Sequence, residues 1–203
     1  DSYYTNLKLA VPFVGVATDV VQQINGNSAS MTSFTANNAT FAVHPAAGAP
    51  YGTGLYLNSA SDYPNINYAA GTFNFLHNQS GSGTVEFWMY NGAFSTEASM
   101  FTNISGSPDV GLNIQMASST TLQAVISRGV SGSSRTSGTA NIPQNAWSHI
   151  AVTKTINGSN AELRLYVNGV LSASNTSITT SDLSNSNSTY SYFRIGQNIG
   201  DET

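Results

Sequence analysis

Glu162-Leu163-Arg164-Leu165-Tyr166-Val167-Asn168-Gly169-Val170-Leu171 is the stretch on which the fold turns. Leu163, Leu165 and Val167 fall on one side of an extended chain, with Arg164 and Tyr166 on the other, so one face is apolar. Asn168-Gly169 supplies the two positive φ angles of a type I′ turn, which sends the chain straight back as a hairpin. Working outward, the same two-residue period recurs. In 147–155, Ile150 and Val152 face one way and His149 and Thr153 the other. In 84–90, Val85, Phe87 and Met89 oppose Glu86, Trp88 and Tyr90. Further strands are predicted at 7–13, 30–35, 54–57, 99–104, 111–116, 121–127, 161–167, 170–173 and 190–196. Helical periodicity is nearly absent. Two Ser/Thr/Asn-rich stretches, 127–138 and 172–189, read as long surface loops. The pattern is all-β: a two-sheet antiparallel jelly-roll sandwich, with Leu163, Leu165, Val167, Val85, Phe87, Met89, Ile150 and Val152 in one shared core.

At 203 residues the chain suits a single all-β domain spanning 1–203. It has no cysteine, which removes disulfides, zinc ribbons and thiol chemistry together. Charged residues make up only 8%, against a usual quarter or so. Solubility rests instead on 29 Ser, 21 Thr and 22 Asn. Such a surface suits secreted modules and virion proteins better than cytosolic enzymes. Net charge is −4, and Lys8, Arg128, Arg135, Lys154, Arg164 and Arg194 are scattered. With no basic stripe, neither nucleic acid nor an anionic membrane surface is an expected partner. The apolar run at 9–16 is interrupted by Pro12 and Gly15 and is far shorter than a membrane-spanning helix. The chain opens on Asp1 rather than Met, which reads as a processed or partial product.

Six pieces, in order, carry a resemblance: "LKLAVPF" from Leu7, "GTGLYLNSASDY" from Gly52, "GTVEFWMY" from Gly83, "NAWSHIAVTKT" from Asn145, "AELRLYVNGVL" from Ala161 and "YFRIGQN" from Tyr192. Together they touch most of the chain, and it resembles the laminin-G-like jelly rolls of the concanavalin-A-like lectin/glucanase superfamily. The resemblance implies that Trp88 and Trp147 are partly buried anchors rather than sugar platforms. It makes His149 a hydrogen-bonded strand histidine. It also implies a last strand after "FRIG" that pairs with the first strand of the domain. Residues 197–203 show no alternation, so a strand from outside 1–203, from a continuation of the polypeptide or a neighbouring subunit, is expected along 7–13.

Catalysis finds little support. Glucanases of this fold carry Glu-x-Asp-x-x-Glu on one strand, and none of the ten acidic residues has that spacing. Glu86 is followed by Phe87-Trp88, and a pair with Glu162 would join distant strands. No Gly-x-Ser-x-Gly is present to frame a nucleophile. No catalytic residue is assigned. His44, His77 and His149 share no zinc-ligand spacing. No cofactor is required; the resemblance leaves calcium open, with Asp62, Asp109, Asp182 and Asp201 as loop aspartates but no residue committed. For ligand binding, Tyr190, Tyr192 and Arg194 share a face opposite Phe193 and Ile195, while Tyr90 and Tyr166 alternate with apolar partners. If these met on one sheet they would make an aromatic, hydrogen-bonding surface for glycan or protein. For any one Tyr, a half-exposed strand position is explanation enough.

Three functions remain. The first is a non-enzymatic structural and recognition module on an extracellular or virion surface, of phage tail, fibre, capsid-decoration or adhesin type. Its partners would be a glycan or cell-surface receptor and neighbouring structural subunits. The second is a secreted carbohydrate-binding module of a larger enzyme. The third is a hydrolase or lyase with an unrecognised carboxylate pair.

Overall fold

The hairpin at the centre of the sequence forms as its residues dictate. In the computed structural model, which describes residues 6–13, 17–18, 30–42, 53–57, 62–92, 98–104, 110–128, 134–183 and 191–196, Asn168 and Gly169 have φ of 51° and 79°. The described strands are β1 (Met31–Thr35), β2 (Thr40–Ala42), β3 (Gly54–Tyr56), β4 (Asn65–Tyr68), β5 (Gly83–Tyr90), β6 (Ser99–Thr102), β7 (Val110–Ser118), β8 (Thr121–Arg128), β9 (Arg135–Asn141), β10 (Trp147–Asn157), β11 (Asn160–Val167), β12 (Val170–Thr179) and β13 (Tyr192–Arg194). They pair antiparallel into a seven-stranded sheet, β1-β4-β13-β6-β7-β8-β9, and a four-stranded sheet, β12-β11-β10-β5, with β2-β3 as a separate hairpin. The fold is all-β, a jelly-roll sandwich.

Alternation determines what lies between the sheets. From the smaller sheet come Ile150, Val152, Leu163, Leu165, Val167 and Met89, all buried, while Val85 and Phe87 on β5 are half-buried against the same cluster. From the larger come Leu112, Ile114 and Met116 of β7 and Leu122, Ala124 and Ile126 of β8. An aromatic knot of Tyr68, Phe73, Phe101 and Phe193 fills the end near β13, with ring centroids 4.3 to 4.8 Å apart. Gly196, in the "FRIG" piece, has φ 88°, and a Cβ there would lie 2.6 Å from Leu57 Cδ1, so only glycine fits.

One long side of the sandwich is closed by its own edges. Asn175 Nδ2 of β12 donates to the Thr136 carbonyl of β9 at 3.0 Å. Arg135 Nη2 meets Asp182 Oδ1 at 2.6 Å just beyond β12. On the other side, Phe34 of the edge strand β1 packs with Phe13 and Phe41 at 6.1 and 6.0 Å.

Several sequence expectations need correction. Residues 7–13 form no strand, although Leu9, Val11 and Phe13 pack against the core. Pro12 removes a ladder donor, and Phe13 turns to a positive φ of 53°, which ends any extended run. The two expected loops are partly strand: β9 occupies most of the end of the first, and β12 runs on to Thr179 through the second. Ser/Thr-rich sequence hid them, because edge strands exposed on one face need few apolar residues. β4, with its alternation of Asn65 and Asn67 against Ile66 and Tyr68, and β2 were also not anticipated.

Candidate functional site

The two outward faces differ in kind. On the seven-stranded sheet, Tyr192 and Arg194 do share the outer side of β13, opposite Phe193. Arg194, however, is only 2% exposed. Its guanidinium lies 4.8 Å from the Tyr63 ring centroid and 5.6 Å from that of Tyr192, and its Nε donates to Asn65 Oδ1 at 3.4 Å. The cation is clamped between two rings and an amide, which holds this part of the face together. Around it the face is amide-rich: Asn67 Nδ2 donates to Ser33 Oγ and Thr35 Oγ1, and Asn113 Nδ2 to Gln115 Oε1. Tyr190 lies outside the described residues.

The four-stranded sheet presents an open aromatic face. Register places its outward residues in rows across β5, β10, β11 and β12. Tyr90 stands beside Trp147; Trp88 beside His149; Glu86, Ala151, Tyr166 and Leu171 form one line; Thr84, Thr153, Arg164 and Ser174 the next. Tyr90 and Tyr166 thus do share a sheet, and Tyr192 and Arg194 belong to the other. Trp88, expected as a partly buried anchor, is 43% exposed and stands among the exposed large apolar side chains. With Val85, Phe87 and Met89 turned inward, parity leaves Trp88 no other direction. Trp147 is the partly buried one: its Nε1 is buried, and a Cβ at Gly54 of β3 would lie 3.6 Å from its ring.

His149 braces Trp88. Their ring centroids are 5.3 Å apart, and His149 Nε2 lies 3.8 Å from Glu86 Oε2. The hairpin turn fixes the strand beneath: the His149 N–H donates to Asn168 Oδ1 at 2.9 Å, and the Asn168 N–H to the His149 carbonyl at 2.8 Å. Ala151, small and central, makes a shallow floor bounded by Glu86, His149, Tyr166 and Thr153. Arg164 meets Glu162 at 2.5 Å. Its hydrogen bond with Tyr166, ahead of that ion pair, pushes the guanidinium further up and keeps it charged. Leu171 and Val170 are exposed on the same side.

Glu86 and Glu162 stand far apart on the sheet. Glu86 is level with Ala151, and Glu162 with Thr155, two strands away. Their backbones are therefore roughly 16 Å apart, against about 5–9.5 Å for a glycosidase pair. Asp182 accepts from the Thr179 N–H, Thr179 Oγ1 and Arg135 Nη2, and these bonds, the Thr179 N–H foremost, hold its carboxyl well below the usual carboxylate range. It is a corner clip. Asp62 is buried and has a partner of its own, and Asp109 and Asp201 lie outside the described residues. Among the described residues no group of three His, Cys, Asp or Glu gathers as a metal cage.

Residues 58–203 match a laminin-G-type family profile described as the concanavalin A-like lectin/glucanases superfamily. The chain belongs to this superfamily. Similar solved structures include a carbohydrate-binding module, CBM66, from Bacillus subtilis, 14% identical over 83% of this chain and 94% of that one, with a TM-score of 0.38. An endo-1,3-beta-glucanase from Streptomyces sioyaensis is 13% identical over 79% of this chain and 63% of its own, with a TM-score of 0.43. The enzymatically active domain of bacteriophage CBA120 tailspike protein 2 is 12% identical over 88% of this chain, with a TM-score of 0.45, and the match spans 28% of that chain. This chain therefore spans under two thirds of the glucanase and under a third of the tailspike. A search of curated protein sequences gives no match. Within the superfamily, the aromatic face just described must be read from its own residues.

Proposed function

We propose that this chain is a non-enzymatic glycan-binding module of an extracellular or virion surface, and that it binds through the outer face of the four-stranded sheet. The observation that carries the reading is Trp88: a large indole, 43% exposed, braced by His149 and standing beside the shallow Ala151 floor with its polar surround. An exposed ring held rigid offers its face to the C–H side of a pyranose at little entropic cost. Glu86 and His149 beside it, and Tyr166 across Ala151, supply acceptors and donors for hydroxyl groups. The separation of Glu86 from Glu162 supports binding without hydrolysis, and a surface only 8% charged supports an exterior location.

The test is a titration of the chain against soluble polysaccharides of neutral, acidic and amino-sugar classes, read by calorimetry and by tryptophan fluorescence. One class should bind without turnover, and Trp88→Ala should weaken it about tenfold or more. Trp147→Phe should leave the affinity nearly unchanged. Equal affinity for Trp88→Ala, no binding in any class, or release of reducing ends that stops with Glu86→Gln would each reject the reading.

A further inference from the structure

We infer, building on the glycan reading above, that the sugar held on this face is an N-acetylated amino sugar, with its acetyl methyl seated on Ala151 between Glu86 and Tyr166. Ala151 has the smallest outward side chain on β10 and is partly exposed. Its neighbours on the same side of the strand, His149 and Thr153, are roughly 6.7 Å away in either direction. Level with it stand Glu86 on β5 and Tyr166 on β11, each with its Cβ about 5 Å from that of Ala151. All four outreach a methyl group. The floor is therefore a dimple that takes one small apolar substituent, with a carboxylate on one flank and a phenol on the other.

The two flanks differ in hydrogen-bonding sense. The Glu86 carboxylate accepts hydrogen bonds and donates none. Its Oε2 lies 3.8 Å from His149 Nε2, so the side chain leans inward over β10, with 66% of its surface still exposed. A phenol can donate or accept, and Arg164 decides which. A guanidinium carries donors only, so in the bond between them the Tyr166 oxygen accepts. The Tyr166 O–H is then the group turned to a ligand. Acceptor, apolar floor and donor follow one another across β5, β10 and β11.

A secondary amide matches that order. Planar and trans, it points its N–H and C=O to opposite sides, with its two carbon substituents at the remaining ends. Stood upright on Ala151, an acetamide donates its N–H to Glu86, accepts from the Tyr166 hydroxyl and lays its methyl on the floor. The ring carbon that bears the amide then stands above the sheet, one row from Trp88, where the sugar ring meets the exposed indole. A hydroxyl in the same place leaves the floor empty and reaches one flank. An ammonium suits Glu86 but offers Tyr166 no acceptor, and a carboxylate meets the like charge of Glu86.

The experiment compares three substituents on the same rings: N-acetylglucosamine and N-acetylgalactosamine, glucosamine and galactosamine, and glucose and galactose. Each is titrated against the intact chain by tryptophan fluorescence and by saturation-transfer NMR. The acetamido sugars should bind about tenfold more tightly than either counterpart, the worth of roughly one hydrogen bond. Transfer from the protein should be strongest at the acetyl methyl. Tyr166→Phe keeps the ring, loses the hydroxyl and should remove most of the preference. Ala151→Leu fills the floor from an outward-facing position and should remove both the preference and the methyl signal. Trp88→Ala should weaken every sugar alike. Equal affinity for the acetamide and hydroxyl forms, or a methyl that receives no more transfer than the ring protons, would overturn the acetamide assignment, and neither readout needs a variant. So would a preference that survives in both Tyr166→Phe and Ala151→Leu, or acetamido sugars that fail to bind a chain holding a polysaccharide of another class. In each of these cases the glycan reading would still stand on Trp88, whereas binding of no sugar at all would overturn both.

Discussion

Parity along β10 puts Lys154 on the core side with Ile150 and Val152, where it is 3% exposed and its Nζ donates to the Asn78 carbonyl. Burial pushes the amine down from 10.5 to about 8. The sign follows: between those values the unfolded chain holds a proton that the folded chain has released, so stability rises with pH. The gain is at most about 3 kcal/mol. Above pH 10 Tyr68 opposes it, since burial raises its hydroxyl to about 12 and the unfolded chain ionises first. Urea unfolding at pH 7 to 10 should therefore show wild-type stability climbing from about pH 8. Lys154→Met should be as stable as wild type at pH 7 and lose the climb. A flat wild-type profile, or a climb that survives in Lys154→Met, would refute this account. Strand parity alone marks Lys154 as a core misfit; the partner that makes it tolerable, the Asn78 carbonyl, is remote in sequence and illegible there.

At the scale of elements, legibility tracked how much a strand is buried. β10, β11 and the Asn168-Gly169 turn were readable because one apolar face forces the register. β9 and the far half of β12 were not, because the two edges cover each other with Ser, Thr and Asn. The Asp182 corner holds them. Its carboxylate caps the turn at Thr180–Asp182 through Thr179 and also takes Arg135, tying the end of β12 to the start of β9. The lowered pKa means that this contribution is complete above the carboxylate's ordinary range and is lost as pH falls below it. Asp182→Asn should lower the melting temperature at pH 7, and the gap to wild type should narrow below pH 4. Hydrogen exchange should quicken first in β9 and β12. A gap that persists unchanged at low pH would show that charge contributes nothing at this corner.

Across the whole molecule, cover falls away from β11 toward β5, and this gradient governs both what the sequence revealed and what substitutions should cost. Alternation tells which face a residue takes but not what lies over it. That is why the core was legible down to Leu163, Leu165 and Val152, while Trp88 and Arg194 were misread. Trp88 is bare because no described segment crosses the outer side of β5. Arg194 is buried because Tyr63, far away in sequence, folds over it. The same gradient separates two core truncations on adjacent rungs. Leu165, wholly buried between sheets, has neighbours on every side, so Leu165→Ala leaves a cavity and should cost about 2–5 kcal/mol. Val85 is only partly buried against the core and keeps part of its surface in water, so Val85→Ala should cost on the order of 1 kcal/mol. Chemical denaturation of dilute protein measures both, and equal costs would refute the gradient.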